Sequence, residues 1–417
     1  MKKVLSFMCV LVVLSGCAKS KEEKVSDNDM SKTMEFITNR LDYTLKNNLD
    51  STKLPRTITK ENQLKTVGKY DWTSGFFPGN LWYMYELTKD EKWKNEAIKY
   101  TEVLDTIQYW EGNHDVGFIM YCSYGNGLKF GSQNKYKDII IQTAESLSKR
   151  YNDTTKVIKS WERQKSWDKV TTWYYPVIID NMMNLELLFE ATLLSGNEKY
   201  KNIAVQHAET TIKNHYRDDY SCYHVVNYDT ITGKVLDKKT AQGFADNSSW
   251  ARGQAWGLYG YTLCYRYTKD KKFLDFADNI AKYIINHPNL PEDMVPYWDY
   301  YANNDNYHPE WNYNKADFPV IPRDASAAAI TASALYELAG YSENKENLLK
   351  AANKIRESLL STSYMDPNSK NKYFILDHSV GSIPHHTEID VPLVYADYYF
   401  LEALYRKSML DDNKAFL

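Results

Sequence analysis

One pattern recurs along this chain and limits its possible folds more than any other feature. A start that is polar or contains Gly or Pro leads into an apolar helical run, a short polar turn follows, and an amphipathic helical run completes the unit. "FFPGNLWYMYELTKDEKWKNEAIKYTEVL" opens the series at Phe76. Units of the same layout begin at His114, Pro176, Trp250 and Pro322. A last apolar helix, "EIDVPLVYADYYFLEALYRK" from Glu388, lacks a partner behind it, and "SKTMEFITNRLDYTLKNN" from Ser31 can supply one. That gives twelve helices in six pairs. From His114 onward the starts are 62, 74, 72 and 66 residues apart; only the step from Phe76 is much shorter.

Within each pair the two helices differ in a telling way. The first is apolar nearly all round, as a helix buried on several sides must be, and the second carries Lys and Glu along one face. Two concentric rings account for both. An open solenoid would also stack similar pairs, but six pairs with an unpaired helix at each end fit closure better. The expected architecture is therefore an all-α, (α/α)6 barrel. Its longer non-helical pieces, 150–175, 216–249, 288–321 and 362–387, all fall between an outer helix and the next inner one, so they gather at one end. Loops of that length are usually functional, and these are rich in Tyr, Trp and His. The active side is expected where the inner helices begin.

The amino terminus stands outside this scheme. "MKK", the apolar run "VLSFMCVLVVL" and "LSGC" have the layout of an export signal. The stretch resembles a bacterial lipoprotein signal, in which Cys17 becomes the lipidated residue. An ordinary signal peptide or a short anchor is the alternative, although the run is shorter than the roughly 20 residues a span requires. The expected division is a signal over 1–17, a flexible tether over 18–30 and one domain over 31–417. That implies a periplasmic lipoprotein touching the membrane only through its anchor.

The remaining cysteines, Cys122, Cys222 and Cys264, form neither a disulfide framework nor a zinc pattern. With 51 basic and 54 acidic residues the chain is near neutral, which gives no reason to expect a nucleic acid partner. No protein partner is evident. No H-E-x-x-H, P-loop or G-x-S-x-G occurs, so zinc hydrolysis, nucleotide binding and esterase chemistry lose their usual signals, and no metal or cofactor is expected. The 35 Tyr and 11 Trp suit sugar faces, but they suit a core equally well.

Four aspartates, Asp115, Asp180, Asp324 and Asp390, lie near inner-helix starts, where a carboxylate commonly caps free backbone N–H groups. Capping is the simpler reading for Asp324 and Asp390, and Arg323 offers Asp324 a neighbour. Asp180 differs. If the helix starts at Tyr175-Pro176, Asp180 stands one turn inside it among Val177, Ile178, Ile179, Met182 and Met183. Desolvation would raise its pKa and make it a proton donor near neutral pH; a buried Asp bonded to backbone or tyrosine hydroxyls is the equal alternative. Asp115 follows His114, so two sugar-bonding groups meet at a helix start. In "TAQGFADNSSWARGQAWG", Ala251, Gly253 and Gly257 can relieve crowding around Arg252, while Trp250 and Trp256 can line a pocket mouth. Arg252 suits a carboxylate or sulfate, or it simply pairs with Asp246. His224 is a lone loop histidine.

The segments "DWTSGFFPGNLWYMYE", "NHDVGFIM", "VIIDNMMNLELLFEA", "WARGQAWGLYGY" and "EIDVPLVYADYYFLEAL" together resemble the unsaturated glucuronyl hydrolases, glycoside hydrolase family 88, over about residues 35–407. The resemblance implies an (α/α)6 barrel that acts on unsaturated uronyl di- or oligosaccharides released by polysaccharide lyases. It also implies roles: Asp180 as general acid and base, and Asp115 as a second essential aspartate contacting sugar hydroxyls. His114, His224 and Gln242 would be further sugar contacts, Trp72, Trp250 and Trp256 aromatic walls, and Arg252 the group near the sugar carboxylate or a sulfate. Members favouring sulfated disaccharides carry Ser-x-x-Ser-x-Lys before the last helix. Here Ser379 and Ser382 stand with Pro384 in the lysine position, which implies no strong preference for sulfate. The alternatives are an unsaturated rhamnogalacturonyl hydrolase and a non-enzymatic glycan-binding lipoprotein.

Overall fold

The computed structural model describes residues 27–412, 414 and 416. The expected signal, Cys17 and the tether as far as residue 26 lie outside the described residues. The first helix already begins at Asp27, inside the stretch expected to be tether, and runs to Asn47.

Six inner segments form a closed ring. They are Phe76–Thr88, the broken helix from Val116 to Gly131, Ile179–Ser195, Ala251–Thr268, Ala325–Leu338 and Val394–Asp411. Each packs on the next, and the last packs on the first. Six outer helices surround them: Asp27–Asn47, Glu91–Glu102, Tyr136–Ser148, Glu198–His215, Lys271–Ile285 and Lys345–Leu360. Burial follows the sequence pattern. Every residue of Ala325–Leu338 is buried, whereas Lys271–Ile285 buries only a stripe that includes Phe273, Ala277, Ile280 and Ile284. The small side chains of "ASAAAITASA" let that inner helix touch neighbours on all sides.

Three inner helices depart from simple expectation. The second is interrupted by a π-helical turn, Tyr121–Gly125, between Val116–Met120 and Asn126–Gly131. The third does not start at Pro176: Pro176–Ile178 is a strand paired with Val225–Tyr228, and the helix opens as a 3-10 turn over Ile179–Asn184. Val177 and Ile178 are β-branched and fully or nearly buried, so pairing satisfies them better than a helical turn would. Likewise the final helix starts at Val394 rather than Glu388, because Pro392 disfavours helical geometry in the residue before it. Thr387–Val391 instead forms a hairpin with Ser379–Ser382. Asp390 is thus in a strand, paired with His378, and caps nothing.

The far end of the ring is closed by buried charge. Arg266 bonds Glu186 at 2.7 Å and approaches Glu337 at 3.0 Å; Arg406 reaches Glu337 at 2.7 Å. Glu402 accepts from Tyr83, Tyr259 and Ser333. These groups come from five inner helices, at or beyond about the middle of each, so they fill the barrel axis away from the loop end.

Candidate active site

The loop end holds a cavity of about 640 Å³. Its wall takes Trp161 and Gln164, Gln242, and Ser382 with His385 from three of the four expected loops, and Arg56, Trp72 and Asn113 from two shorter outer-to-inner connections, while 288–321 contributes none. Arg56 fixes this rim, its guanidinium bonding Glu388 at 2.6 and 2.8 Å and Asp71 at 2.8 and 2.6 Å.

The four aspartates are now separable by what their carboxylates do. Asp324 is a true cap, accepting from the backbone N–H groups of Ser326 and Ala327. Asp115 sits at the cap position of Val116–Met120 but makes no capping bond, and Asp180, in the first turn of Ile179–Asn184, makes none either. Both are largely withdrawn from solvent, with side chains 12% and 13% exposed. Burial pushes Asp180 up to about 7, against the pull of the Arg252 guanidinium. Burial and then the charge of Asp180 push Asp115 up to about 8. At neutral pH the pair therefore holds at least one proton.

Two imidazoles face these carboxyls. His224 Nδ1 accepts from the backbone N–H groups of Ala241 and Gln242, which places the ring proton on Nε2, 3.7 Å from Asp180 Oδ2. His114 Nε2 lies 3.3 Å from Asp115 Oδ1. Burial holds both rings neutral, pushing His114 down to about 3 and His224 well below its usual value. His114 is fully enclosed, and neither these two imidazoles nor the two carboxyls form part of the cavity wall. Asp180 Oδ2, both Nε2 atoms and the indole Nε1 of Trp256 have no hydrogen-bond partner among the described residues. The Trp256 N–H nevertheless faces Asp180 and helps hold its pKa down, although the geometry of a full hydrogen bond is not met. Buried polar atoms are normally paired, so this cluster of unpaired ones marks a place prepared for a polar ligand.

Arg252 is buried and pairs with Asp324 at 3.0 Å, not with Asp246, which instead meets Lys239 at 3.1 Å. It also donates to the carbonyls of Val380 and, at 2.6 Å, Gly381, so much of its fork is occupied by the protein while its charge still faces the cavity. The two tryptophans beside it do not line the mouth. Trp250 lies beneath, 4.7 Å from the His224 ring and 4.5 Å from the Arg252 guanidinium carbon, and Trp256 is edge-on to Phe118 and Tyr399 in the core. Gly253 and Gly257 make room for Trp250 and the Tyr216 hydroxyl rather than for Arg252. Trp72 does line the cavity. Gln242 lines it too, its side chain donating to Gly381 O at 3.3 Å. Ser382 reaches the wall, bonded to His385 Nδ1 at 2.7 Å, whereas Ser379 is buried and does not. Sequence reasoning missed Arg56, Trp161 and His385; the aromatic-rich "WERQKSW" was the available signal for Trp161.

No protein-family model matches the chain. Individual relatives do. It is 46% identical over 395 residues to the unsaturated glucuronyl hydrolase of Formosa agariphila, with 94% of each chain covered. The chain belongs to the unsaturated glucuronyl hydrolase family. Another member, the unsaturated chondroitin disaccharide hydrolase of Streptococcus agalactiae, is 33% identical over 84% of this chain and 85% of its own. A solved structure of an unsaturated glucuronyl hydrolase specific for heparin superposes with a TM-score of 0.85 at 42% identity, covering 93% of this chain and 99% of that one. In this (α/α)6 setting, Asp115 and Asp180 stand at the loop-end starts of two inner helices, and the Glu–Arg cluster lies farther along the helices.

Proposed function

We infer that this chain, a glycoside hydrolase by family, cleaves unsaturated glucuronyl di- or oligosaccharides of the kind lyases release from glycosaminoglycans. The observation that carries the reading is Asp180: a buried carboxyl pushed up to about 7, with Oδ2 lacking a hydrogen-bond partner and within reach of the charge of Arg252, a residue of the cavity wall. The substrate is a vinyl ether, with a C4=C5 double bond beside the ring oxygen. The proton of Asp180 goes to C4, and the positive charge developing at C5 is shared by the ring oxygen. Asp180, now a carboxylate, takes a proton from water as the oxygen bonds C5. The hemiketal formed opens and expels the neighbouring sugar. Asp115 holds a sugar hydroxyl, and Arg252 supplies positive potential toward the uronate carboxylate. The neutral Nε2–H of His224 is a donor to the reacting ring. This chemistry needs one group that gives and then takes a proton, which favours a pKa near the working pH, rather than the separated carboxylates of ordinary glycosidases.

The relatives' names span heparin and chondroitin substrates, so glycan choice is a matter for assay. Unsaturated disaccharides from chondroitin, hyaluronan, heparin and rhamnogalacturonan are incubated with the enzyme, and loss of the double-bond ultraviolet absorbance is followed. Loss on the glycosaminoglycan products is expected; loss only on the rhamnogalacturonan product would assign the alternative activity, and no loss on any would remove the hydrolase reading.

The export signal and Cys17 support a periplasmic lipoprotein, tethered where small acidic products of lyase cleavage arrive. Among the described residues no helix is long and apolar enough to cross a membrane. Radiolabelled palmitate incorporation that disappears in Cys17→Ala tests the anchor.

A further inference from the structure

His114 owes its orientation and tautomer to a chain of side-chain amides that no capping or core-packing need explains. The chain begins at Phe118, whose backbone N–H donates to Asn184 Oδ1 at 3.0 Å. That bond requires the amide oxygen of Asn184 at this position, and hence its nitrogen on the other side. Asn184 Nδ2 then lies 3.2 Å from Asn181 Oδ1 and 3.1 Å from His114 Nδ1. The other end is fixed in the same way, because Asn181 Nδ2 donates to the carbonyl of Ile158 at 2.6 Å. With both amides held, Asn184 Nδ2 can only donate to His114 Nδ1, which favours a bare Nδ1 over an Nδ1–H turned to Asn181 Oδ1, the other acceptor beside the ring. The ring proton is left on Nε2, toward Asp115. Asn181 and Asn184 are fully buried, and Gly117 lacks the Cβ that would meet Asn184 Oδ1 at 2.3 Å.

We propose that Asn184 is a positioning residue that locks His114 as the Nε2–H tautomer, so that this imidazole turns an N–H and not a lone pair toward Asp115 Oδ1, 3.3 Å away. Asn184 also spans the two inner helices that supply Asp115 and Asp180, so it fixes one carboxyl relative to the other. The consequence for the chemistry rests on the role of Asp115 in the proposed function; the tautomer does not. A bare Nε2 would face the Asp115 oxygen with a lone pair, forcing the carboxyl to keep a proton or turn away. The other charged groups acting on Asp115 are Asp180, Asp71 and Arg150, and those acting on His114 are Arg150 and the neighbouring His207.

The test has two parts. In uniformly ¹⁵N-labelled native protein, long-range ¹H–¹⁵N correlations of the imidazole assigned to His114 are expected to show a protonated Nε2 and a bare Nδ1 across the pH range of activity. An Nδ1–H ring would overturn the proposal. Asn184→Asp keeps an acceptor for Phe118 but turns the donor facing His114 into a second acceptor, so Nδ1 must now carry the proton. The expected result is a kcat lower by at least about tenfold with KM changed by less than about twofold, and a displaced pH profile, as wrong-tautomer histidines produce elsewhere. Native kcat with a native profile in the folded variant would overturn the proposal. If Asn184→Asp fails to fold, the native spectrum decides alone. An enzyme inactive on all four disaccharides would defeat the proposed function and leave the tautomer result standing.

Discussion

His224 Nε2 stands 3.7 Å from Asp180 Oδ2, and neither atom has a hydrogen-bond partner among the described residues. The gap is too long for a hydrogen bond between them. A neutral imidazole N–H and a carboxyl that is half-protonated near neutrality are thus close together without satisfying one another, which leaves each of them able to bond a sugar oxygen.

If Asp180 donates the first proton, the free enzyme is active while that proton is present. With the carboxyl pushed up to about 7, kcat/KM is expected to be level below pH 7 and to fall as pH rises beyond it. Asp180→Asn removes both the acid and the later base, and turnover should drop by about 10³-fold or more. A pH–rate series on both proteins checks this; an Asn variant within tenfold of the native rate would rule out the assigned role.

The same shifts predict a stability gain from inactivating the site. Asp180 and Asp115 rise from 3.8 to about 7 and about 8, so the folded state holds their protons more tightly than the unfolded chain does. Below about pH 4 both states are protonated and nothing is lost. Between about pH 4 and the folded values the unfolded chain has released these protons and the folded one has not, so stability declines over that window and the loss is complete above it. Asp180→Asn and Asp115→Asn avoid that decline and should be more stable than native protein at pH 8.5, each by on the order of 2 kcal/mol. The advantage should vanish near pH 4. The double variant should gain less than the sum, since the charge of Asp180 is part of what raises Asp115. Urea melts at the two pH values measure it.

How much of this could be read from residue order alone depends on the range of the interactions involved. The ring of helix pairs was legible because its signal is local: one apolar and one amphipathic run, repeated. Asp180 was legible as an oddity, but its setting was not, because Val177 and Ile178 pair with Val226 and Val225, almost fifty residues away. The π turn at Tyr121–Gly125 and the hairpin Ser379–Val391 were also missed, although both are local in the chain. Trp250 and Trp256 were placed at the mouth, yet burial among His224, Arg252, Phe118 and Tyr399 puts them beneath the cavity. Arg56 entered the site only through Asp71 and Glu388, and the second of these is 332 residues distant.

Arg252 separates charge from geometry. Its bonds to Asp324 and to the carbonyls of Val380 and Gly381 hold the Ser379–Ser382 strand against two inner helices. Arg252→Lys keeps one positive charge but not the planar fork, and it leaves a buried carboxylate short of donors. The expected outcome is a loss of about 3 kcal/mol in stability, together with a tenfold or larger fall in kcat/KM, the equivalent of about 1.4 kcal/mol in the barrier. Lower Tm with unchanged kinetics would show that Arg252 is a strut alone.

A serine can contact a substrate sulfate only if its hydroxyl reaches the cavity. Ser379 is fully buried with no opening toward it, while Ser382 lies in the wall and is bonded to His385. No lysine follows, since Pro384 occupies that position, and burial holds His385 below its ordinary value, so it is mostly neutral at neutral pH. A neutral hydroxyl–imidazole pair offers a sulfate hydrogen bonds but no charge, which is the weaker kind of anion contact. Sulfated and unsulfated forms of one disaccharide should therefore differ by less than about tenfold in kcat/KM, or ~1.4 kcal/mol. Ser379→Ala should leave that ratio unchanged, and Ser382→Ala should alter it by a few-fold at most. Ile383-Pro384→Ile-Lys should raise it in favour of sulfate by adding the missing charge. A native preference of a hundredfold for sulfated substrate would mean that another cation, outside this hairpin, reads the sulfate.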